Sequence, residues 1–197
     1  VVKALGARGV KGCLVMPIAG GATRRLECDT LLVSGGFTPS LQLFAQAGGR
    51  TRFDAALGAF LPVAGSAPVE CVGACAGAAT IAEALAHSLP AGAMPRVEEA
   101  PEAAPCALSI MPLPPGLRGK RFIDLLNYVT VEDIDLAVRE GFGHIEQVKR
   151  YTTLGMGTDQ GRTSGLIGAG QAAARMERTL AEVGVTRPRP PVSPVTF

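Results

Sequence analysis

Residues 130–161 read TVEDIDLAVREGFGHIEQVKRYTTLGMGTDQG, and this stretch decides the fold of the C-terminal third of the 197-residue chain. Its first residues have the pattern of a helix N-cap: the Thr130 hydroxyl can accept a backbone N–H, and an acid, Asp133, follows three positions later. Apolar residues then recur at helical spacing until Gly141, the residue type at which helices commonly end. The stretch therefore predicts a helix after Thr130 with Ile134, Ala137 and Val138 on its inward side.

Two more helices are predicted beyond the first. One covers residues 144–152 and the other covers about 165–183, with the glycine-punctuated loop 155–161 between them. Three short helices around a small core make an all-α domain over 120–186. A domain of this size is marginally stable unless it packs against another domain or protein. The residues expected to face inward on these two helices are Ile145, Val148, Leu166, Ile167, Ala173, Met176 and Leu180.

Proline marks the boundaries of this helical domain. Seven prolines fall between residues 90 and 119, a density that blocks helix propagation and central strands. We therefore expect 90–119 to be an extended linker. The proline-rich residues 187–197 are expected to be an extended tail.

Residues 1–89 are rich in Gly, Ala and Val and have strand-like runs. Residues 9–18 and 22–27 are expected to be the two arms of a hairpin, because Ala-Gly-Gly stands between them. A short helix is expected over 39–47, with proline in its first turn.

Two apolar runs in the same block, 28–36 and 69–73, have the composition of short buried parallel strands. The second leads into an Ala-rich segment, 74–87, with good helix propensity. A strand that meets glycine and then a helix suits a dinucleotide, because backbone N–H groups and the helix dipole face the pyrophosphate. However, Gly73 and Gly77 do not make a G-x-G-x-x-G fingerprint, and close helix–strand packing explains small residues equally well. Both interpretations stay open on spacing alone.

Composition excludes several classes of protein. The chain has 19 basic and 17 acidic residues, a net charge of +2, and no long basic run, which argues against a nucleic-acid binder. No apolar run approaches the roughly 20 residues of a membrane span. Five cysteines are irregularly spaced and form no Cys-x-x-Cys pair, so no cysteine metal site is expected. The two histidines have no partner at catalytic spacing, and no residue is nominated as catalytic.

The first six residues, VVKALG, have neither a starting Met nor the plan of a signal peptide. We therefore expect an internal segment of a longer chain and a cytoplasmic location.

Longer motifs carry a resemblance to a known family. The most specific is the stretch 138–161, and three others agree with it: CDTLLVSGGFTP at 28–39, DAALGAF at 54–60 and RPRPPVSPVTF at 187–197. Over nearly its whole length the chain resembles the alpha subunit of heterotetrameric sarcosine oxidase. The resemblance implies that the tail 187–197 leads to a folate-binding domain.

The resemblance implies a fold class and a cofactor. The fold class is α/β: the C-terminal part of a disulfide-reductase-like dinucleotide-binding domain (1–89), followed by a small all-α domain of the bacterioferritin-associated-ferredoxin (BFD-like) type. NAD is the implied cofactor of the first region, with structural packing of its glycines as the competing account. Flavin-binding relatives have Gly-Asp where this chain has Gly73-Ala74, so the carboxylate that bonds the flavin ribityl chain is missing here. The candidate cofactor-binding residues are Gly35, Gly36, Gly73, Ala74 and Gly77.

A second departure concerns iron. Relatives that carry a [2Fe–2S] cluster have Cys-x-Cys before the first helix and two more cysteines in the later loop. The matching positions here are Asp124, Leu126, Asp159 and Ser164. None of them supplies a thiolate, so no [2Fe–2S] cluster is expected although the surrounding domain is retained.

The implied activity is the oxidative demethylation of sarcosine to glycine, with peroxide and either formaldehyde or methylene-folate as products. The implied partners are beta, gamma and delta subunits, with FAD and FMN in the whole complex. This segment would supply NAD binding and subunit docking and would not be active alone. Two alternatives stay open: an alpha subunit of a related amine, proline or opine dehydrogenase, and a non-catalytic assembly module.

Overall fold

The structure, a computed structural model, describes residues 1–17, 19–33, 37–89 and 119–191. These residues form two compact units: residues up to 33 belong to the first, and 37–89 pack with 120–191 in the second. Packing thus divides the chain near residue 36, whereas the sequence places 1–89 in one domain. The predicted domains 1–89, 120–186 and 187–197 remain a prediction, and the predicted linker 90–119 lies outside the described residues except for Gly119.

The first unit is a three-stranded antiparallel sheet in the order β1-β2-β3. Strand β2 pairs with β3 in the register Cys13↔Leu26, which confirms the predicted hairpin in a shorter form. Strand β1 was not predicted. The strands are β1 (Lys3–Leu5), β2 (Gly12–Val15) and β3 (Arg24–Leu26).

The described part of the run 28–36, residues 28–33, is not the buried strand that the sequence predicts. Residues 28–33 have no regular structure, and Leu32 and Val33 are 91% and 81% exposed. A parallel strand exists only if a neighbouring strand supplies its hydrogen bonds, and no described strand pairs with this run.

The second unit begins with one helix and one hairpin. The predicted helix over 39–47 is confirmed but shorter, and Phe44 is its buried residue. The second predicted buried strand, 69–73, is wrong: Val69 and Val72 are 41% and 44% exposed and no strand forms there. The elements are α1 (Gln42–Gln46), β4 (Thr51–Asp54), β5 (Ala59–Pro62), a 3₁₀ turn (Gly73–Ala76) and α2 (Ile81–Ser88).

The rest of the second unit is mainly helical. The predicted helix cap at Thr130 is confirmed as a full capping box with Asp133. The domain is not all-α, however, because a hairpin, β6–β7, precedes the first helix. The elements are β6 (Phe122–Asp124), β7 (Val129–Thr130), α3 (Val131–Arg139), α4 (Ile145–Thr152), α5 (Gly165–Arg175) and α6 (Leu180–Val183).

The helix predicted over 165–183 is two helices. Chain direction changes after Arg175, where Glu177 has a left-handed φ of 55°. Thr179 and Glu182 then form a second capping box that starts α6. A complete cap satisfies the free N–H groups of a new helix, so the chain restarts rather than continues.

The core of this part lies between α3, α4 and α5. Half of the predicted inward residues are buried there: Ile134, Ala137 and Val148 are 0% exposed, Ile145 is 2% exposed and Ala173 is 4% exposed. The other half are only half-buried: Val138, Ile167, Met176 and Leu180 pack against this core, whereas Leu166 does not. The buried residues are Ile123, Val129, Val131, Ile134, Ala137, Ile145, Val148, Leu154, Ala169, Ala172, Ala173 and Val183.

Candidate functional site

The predicted NAD contacts are only partly described by the structure. Gly35 and Gly36 lie outside the described residues. Gly73, Ala74 and Gly77 are brought together on the 3₁₀ turn and its C-cap. Gly77 has a left-handed φ of 97°, and a Cβ there would stand 3.0 Å from the Leu61 Cδ2 atom. Glycine at 77 is thus needed for its backbone conformation and for packing on β5, so the packing account explains this residue without a ligand.

The N-terminus of α2 is already satisfied by the chain itself. The Glu83 carboxylate Oε2 accepts the N–H groups of Ala79 at 2.7 Å and Thr80 at 3.2 Å. These hydrogen bonds hold the pKa of Glu83 below its usual range. A pyrophosphate would therefore bind at the 3₁₀ turn itself or would have to displace Glu83 from the end of the helix.

Two thiols lie at this turn: Cys71 precedes it and Cys75 is part of it. The Cys75 Sγ donates to the Val72 carbonyl at 3.0 Å. Burial, followed by the neighbouring Cys75 thiol, raises the pKa of Cys71. Because a thiol with a raised pKa stays protonated near neutral pH, Cys71 does not have the character of a nucleophile.

The buried Asp124 carboxylate connects the positions that match the ligands of the [2Fe–2S] cluster in relatives. Asp124 is 2% exposed and accepts four hydrogen bonds. Its Oδ1 accepts the N–H groups of Leu126 at 2.9 Å and Asn127 at 3.1 Å. Its Oδ2 accepts the Gly155 N–H at 2.8 Å and the Ser164 hydroxyl at 3.2 Å. One side chain therefore joins the β6–β7 turn, the loop after α4 and the start of α5.

The same turn design occurs earlier in the unit. Asp54 ends β4 and its Oδ1 accepts the N–H groups of Ala56 at 3.0 Å and Leu57 at 3.1 Å. Unlike Asp54, Asp124 also accepts hydrogen bonds from residues that are distant in sequence, Gly155 and Ser164, because it is buried between their segments. Sequence reasoning treated Asp124 solely as a lost ligand position; the signal that it missed is the Asp that directly precedes each hairpin turn.

The remaining matching positions also lie around this loop. Leu126 packs on Gly157, where a Cβ would come within 2.8 Å of the Leu126 Cδ1 atom. Asp159 accepts the Thr163 hydroxyl at 2.6 Å and the Gly161 N–H at 3.1 Å. Burial raises the pKa of Asp159, but these hydrogen bonds outweigh burial and hold the pKa below its usual value. Asp159 therefore caps the loop before α5.

The structure thus brings Asp124, Leu126 and Ser164 into one cluster of contacts beside the Asp159 loop. Hydrogen bonds between side chains and backbone hold that cluster together. Within the described residues, no group of three or more His, Cys, Asp or Glu side chains could hold a metal ion.

His144 at the N-cap of α4 and Lys149 within α4 each form a hydrogen bond inside the chain. His144 is the N-cap of α4, and its Nδ1 accepts the Glu146 N–H at 3.2 Å, as its predicted place near a helix start requires. Lys149 donates to the Arg187 carbonyl at 3.5 Å, and Arg150 is exposed at a cleft.

An exposed apolar patch surrounds the β6–β7 turn. Leu125 and Tyr128 are each 73% exposed, although their residue types are normally buried. Tyr128 and Tyr151 line one shallow depression. We call the group Leu125, Leu126, Tyr128, Tyr151 and Met156 the apolar patch. Large exposed patches of this kind mark interaction surfaces.

Among the helices that the structure describes, none has the length and apolar character needed to cross a membrane.

Comparisons with known proteins agree with the resemblance seen in the sequence. The model of the sarcosine oxidase A3 domain matches residues 118–197. The chain is 38% identical over 193 residues to the sarcosine oxidase alpha subunit of Rhizobium meliloti (strain 1021) and 35% identical over 195 residues to that of Corynebacterium sp. (strain P-1). Each match covers 90% of this chain, which spans only about a fifth (19–20%) of the length of those relatives.

A solved structure shares the fold. L-proline dehydrogenase from P. horikoshii superposes with a TM-score of 0.67 at 20% identity, covering 99% of this chain and 43% of that chain. At this identity the likeness concerns the fold alone. The sequence comparisons confirm the predicted resemblance: residues 118–197 match the sarcosine oxidase A3 domain model, and 90% of the chain is 34–38% identical to a segment of three sarcosine oxidase alpha subunits.

Proposed function

We propose that this chain is part of the alpha subunit of an oxidoreductase of the sarcosine oxidase type. The identity of 34–38% over 90% of the chain with three such subunits carries the proposal. The reaction of the whole enzyme would be oxidative demethylation of sarcosine to glycine, with peroxide and formaldehyde or methylene-folate as products. The complex would contain FAD and FMN and would be cytoplasmic.

In this proposal the chain supplies a docking surface for the beta, gamma or delta subunits. The apolar patch supports docking, since five large apolar side chains around one turn stay exposed in the chain by itself. The buried Asp124 network would hold the turn that presents Leu125 and Tyr128 in one conformation.

The docking role is tested by co-purification with a flavoprotein subunit expressed in the same cells. Wild-type chain should retain the flavoprotein, and the double variant Leu125→Ser/Tyr128→Ser should lose most of it. Leu43→Ser is the matched control, because Leu43 is 66% exposed on α1 and lies outside the apolar patch. An equal loss with Leu43→Ser, or retention by the double variant, contradicts this role.

The chain would also contact NAD through Gly73, Ala74 and Gly77, with Gly35 and Gly36 as the second predicted contact. Ala74 is exposed at the 3₁₀ turn, so a bound pyrophosphate could approach its backbone. Ala74→Asp would place a carboxylate against the phosphates and should weaken NAD binding about tenfold or more in calorimetric titration. Ala55→Asp, at an exposed hairpin turn, is the control and should bind like the wild type.

The second candidate is an alpha subunit of a related amine, proline or opine dehydrogenase. The likeness to L-proline dehydrogenase concerns the fold alone, so the substrate has to be measured. A substrate panel on the assembled complex, with sarcosine, L-proline and an opine, separates the two candidates. A non-catalytic assembly module would instead retain the partner subunit but contain no nucleotide.

A further inference from the structure

One cleft in the second unit is lined by many arginines. It has a volume of about 930 Å³ and runs between the segment 38–51 and parts of 144–190. A single carboxylate, Glu146, lines the same cleft, whereas Gly73, Ala74 and Gly77 do not line it. The arginines are Arg50, Arg150, Arg162, Arg187 and Arg189.

Four of the five arginines of this cleft form no salt bridge among the described residues. In the part of the chain that the structure describes, salt bridges occur elsewhere, such as Arg121–Glu132, and none involves Arg50, Arg150, Arg187 or Arg189. The one carboxylate of the cleft, Glu146, accepts the backbone N–H of Arg187 at 2.8 Å. With a net charge of only +2 on the whole chain, five arginines around one cleft concentrate positive potential there.

Two of the arginines are carried by a segment that is firmly held. Gln160 Oε1 accepts the Arg189 N–H at 2.7 Å, and its amide nitrogen donates to the Pro191 carbonyl. Lys149 Nζ adds a contact to the Arg187 carbonyl at 3.5 Å. Because the backbone of 187–191 is fixed in this way, a ligand that binds Arg187 and Arg189 loses less conformational entropy to chain ordering.

The start of α5 adds to the same potential. Gly161, Gly165 and Leu166 line the cleft, and α5 is an 11-residue helix whose N-cap, Ser164, makes no side-chain cap bond. The N-terminal end of α5, where the helix dipole is positive, therefore borders the cleft together with the arginines.

We propose that this cleft binds a small molecule with two linked phosphate groups, such as the diphosphate of a nucleotide. Guanidinium groups bind phosphate oxygens in a bidentate fork, and several of them around one cleft suit a ligand with more than one phosphate. The cleft volume is in the range of small-molecule sites, and Leu41 and Leu166 offer apolar surface for the organic part. This site is separate from the NAD contacts proposed above.

The test is calorimetric titration of the 197-residue chain with inorganic pyrophosphate and with inorganic phosphate at low ionic strength. Pyrophosphate should bind at least about tenfold more tightly than phosphate, and its affinity should fall as salt is raised. Arg150→Gln and Arg187→Gln should each weaken pyrophosphate binding about tenfold, and Arg150→Lys should restore part of it.

Arg175→Gln is the matched control, since Arg175 is an exposed arginine at the end of α5 outside the cleft. It should leave pyrophosphate affinity unchanged. The proposal is overturned if the wild-type chain does not bind pyrophosphate, if Arg175→Gln weakens binding as much as Arg150→Gln, or if only an acidic peptide binds. Because the substituted arginines are exposed, each variant should unfold at the same midpoint as the wild type, which circular dichroism verifies.

Discussion

The four hydrogen bonds of Asp124 make a sharp prediction about Asp124→Asn, a change of nearly constant volume. The asparagine can keep its oxygen toward the Leu126 and Asn127 N–H groups, as Oδ1 is in the wild type. Its NH₂ group then faces the Gly155 N–H, which stands 2.8 Å from Oδ2 in the wild type, so donor meets donor. The opposite amide orientation is worse, because the NH₂ would then face two backbone N–H groups.

The size of the effect follows from this geometry. Asp124 is 2% exposed, so water does not replace the lost acceptor. One buried N–H without a partner costs about 1–3 kcal/mol, and the loss of charge weakens the bonds that remain. We expect Asp124→Asn to lower the free energy of unfolding by about 2–4 kcal/mol. Ser164→Ala removes only one of the four donors and should cost about 1 kcal/mol.

The assay is urea denaturation followed by circular dichroism, with hydrogen exchange of the Gly155 amide as a local readout. The Gly155 amide should exchange faster in Asp124→Asn than in the wild type. Glu140→Gln removes an exposed carboxylate after α3 and should stay within about 0.5 kcal/mol of the wild type. The reasoning fails if Asp124→Asn is as stable as Glu140→Gln or if Gly155 keeps its wild-type protection.

Three further predictions concern the same unit. Thr130→Val removes the hydroxyl of a complete capping box and should cost about 1 kcal/mol in urea denaturation, whereas Thr158→Val, at an exposed loop position, should cost less than half of that. Gly168→Ala should destabilise by about 1–3 kcal/mol, because the new Cβ would stand 2.6 Å from Leu154 Cδ2; the double variant with Leu154→Ala should show non-additive costs. The lowered pKa of Asp159 stabilises the fold above the ordinary aspartate pKa of 3.8, and this stabilisation is lost as pH falls through the lower folded value. The stability difference between wild type and Asp159→Asn should therefore shrink below pH 3.8, and a constant difference in acid denaturation would contradict it.

Helix prediction succeeded where the signal is local. The capping box of Thr130 and Asp133, the stop near Gly141 and the buried positions of α4 were all predicted from residues a few positions apart. The break within 165–183 was missed, although Thr179 and Glu182 carry the same capping pattern as Thr130 and Asp133. The prediction gave one helix over 165–183 because apolar residues recur at helical spacing throughout that segment.

Strand prediction failed for the opposite reason. The runs 28–33 and 69–73 have strand composition, yet neither pairs with a described strand. The hairpin β4–β5 was not predicted, although Asp54 and the turn after it resemble the Asp124 turn. Composition indicates that a segment can be extended, but a ladder needs a partner of matching register elsewhere in the chain.

The sequence by itself determined the family resemblance, the helix caps and the absence of thiols at the four cluster positions, because these depend on residue types and short spacings. Only the tertiary structure decided which of those positions meet. Asp124 and Ser164 are 40 residues apart in sequence and share a hydrogen bond. Arg50, Arg150 and Arg187 line one cleft although they come from three separate segments. Such contacts depend on how packed elements are placed in space, which local residue patterns do not encode.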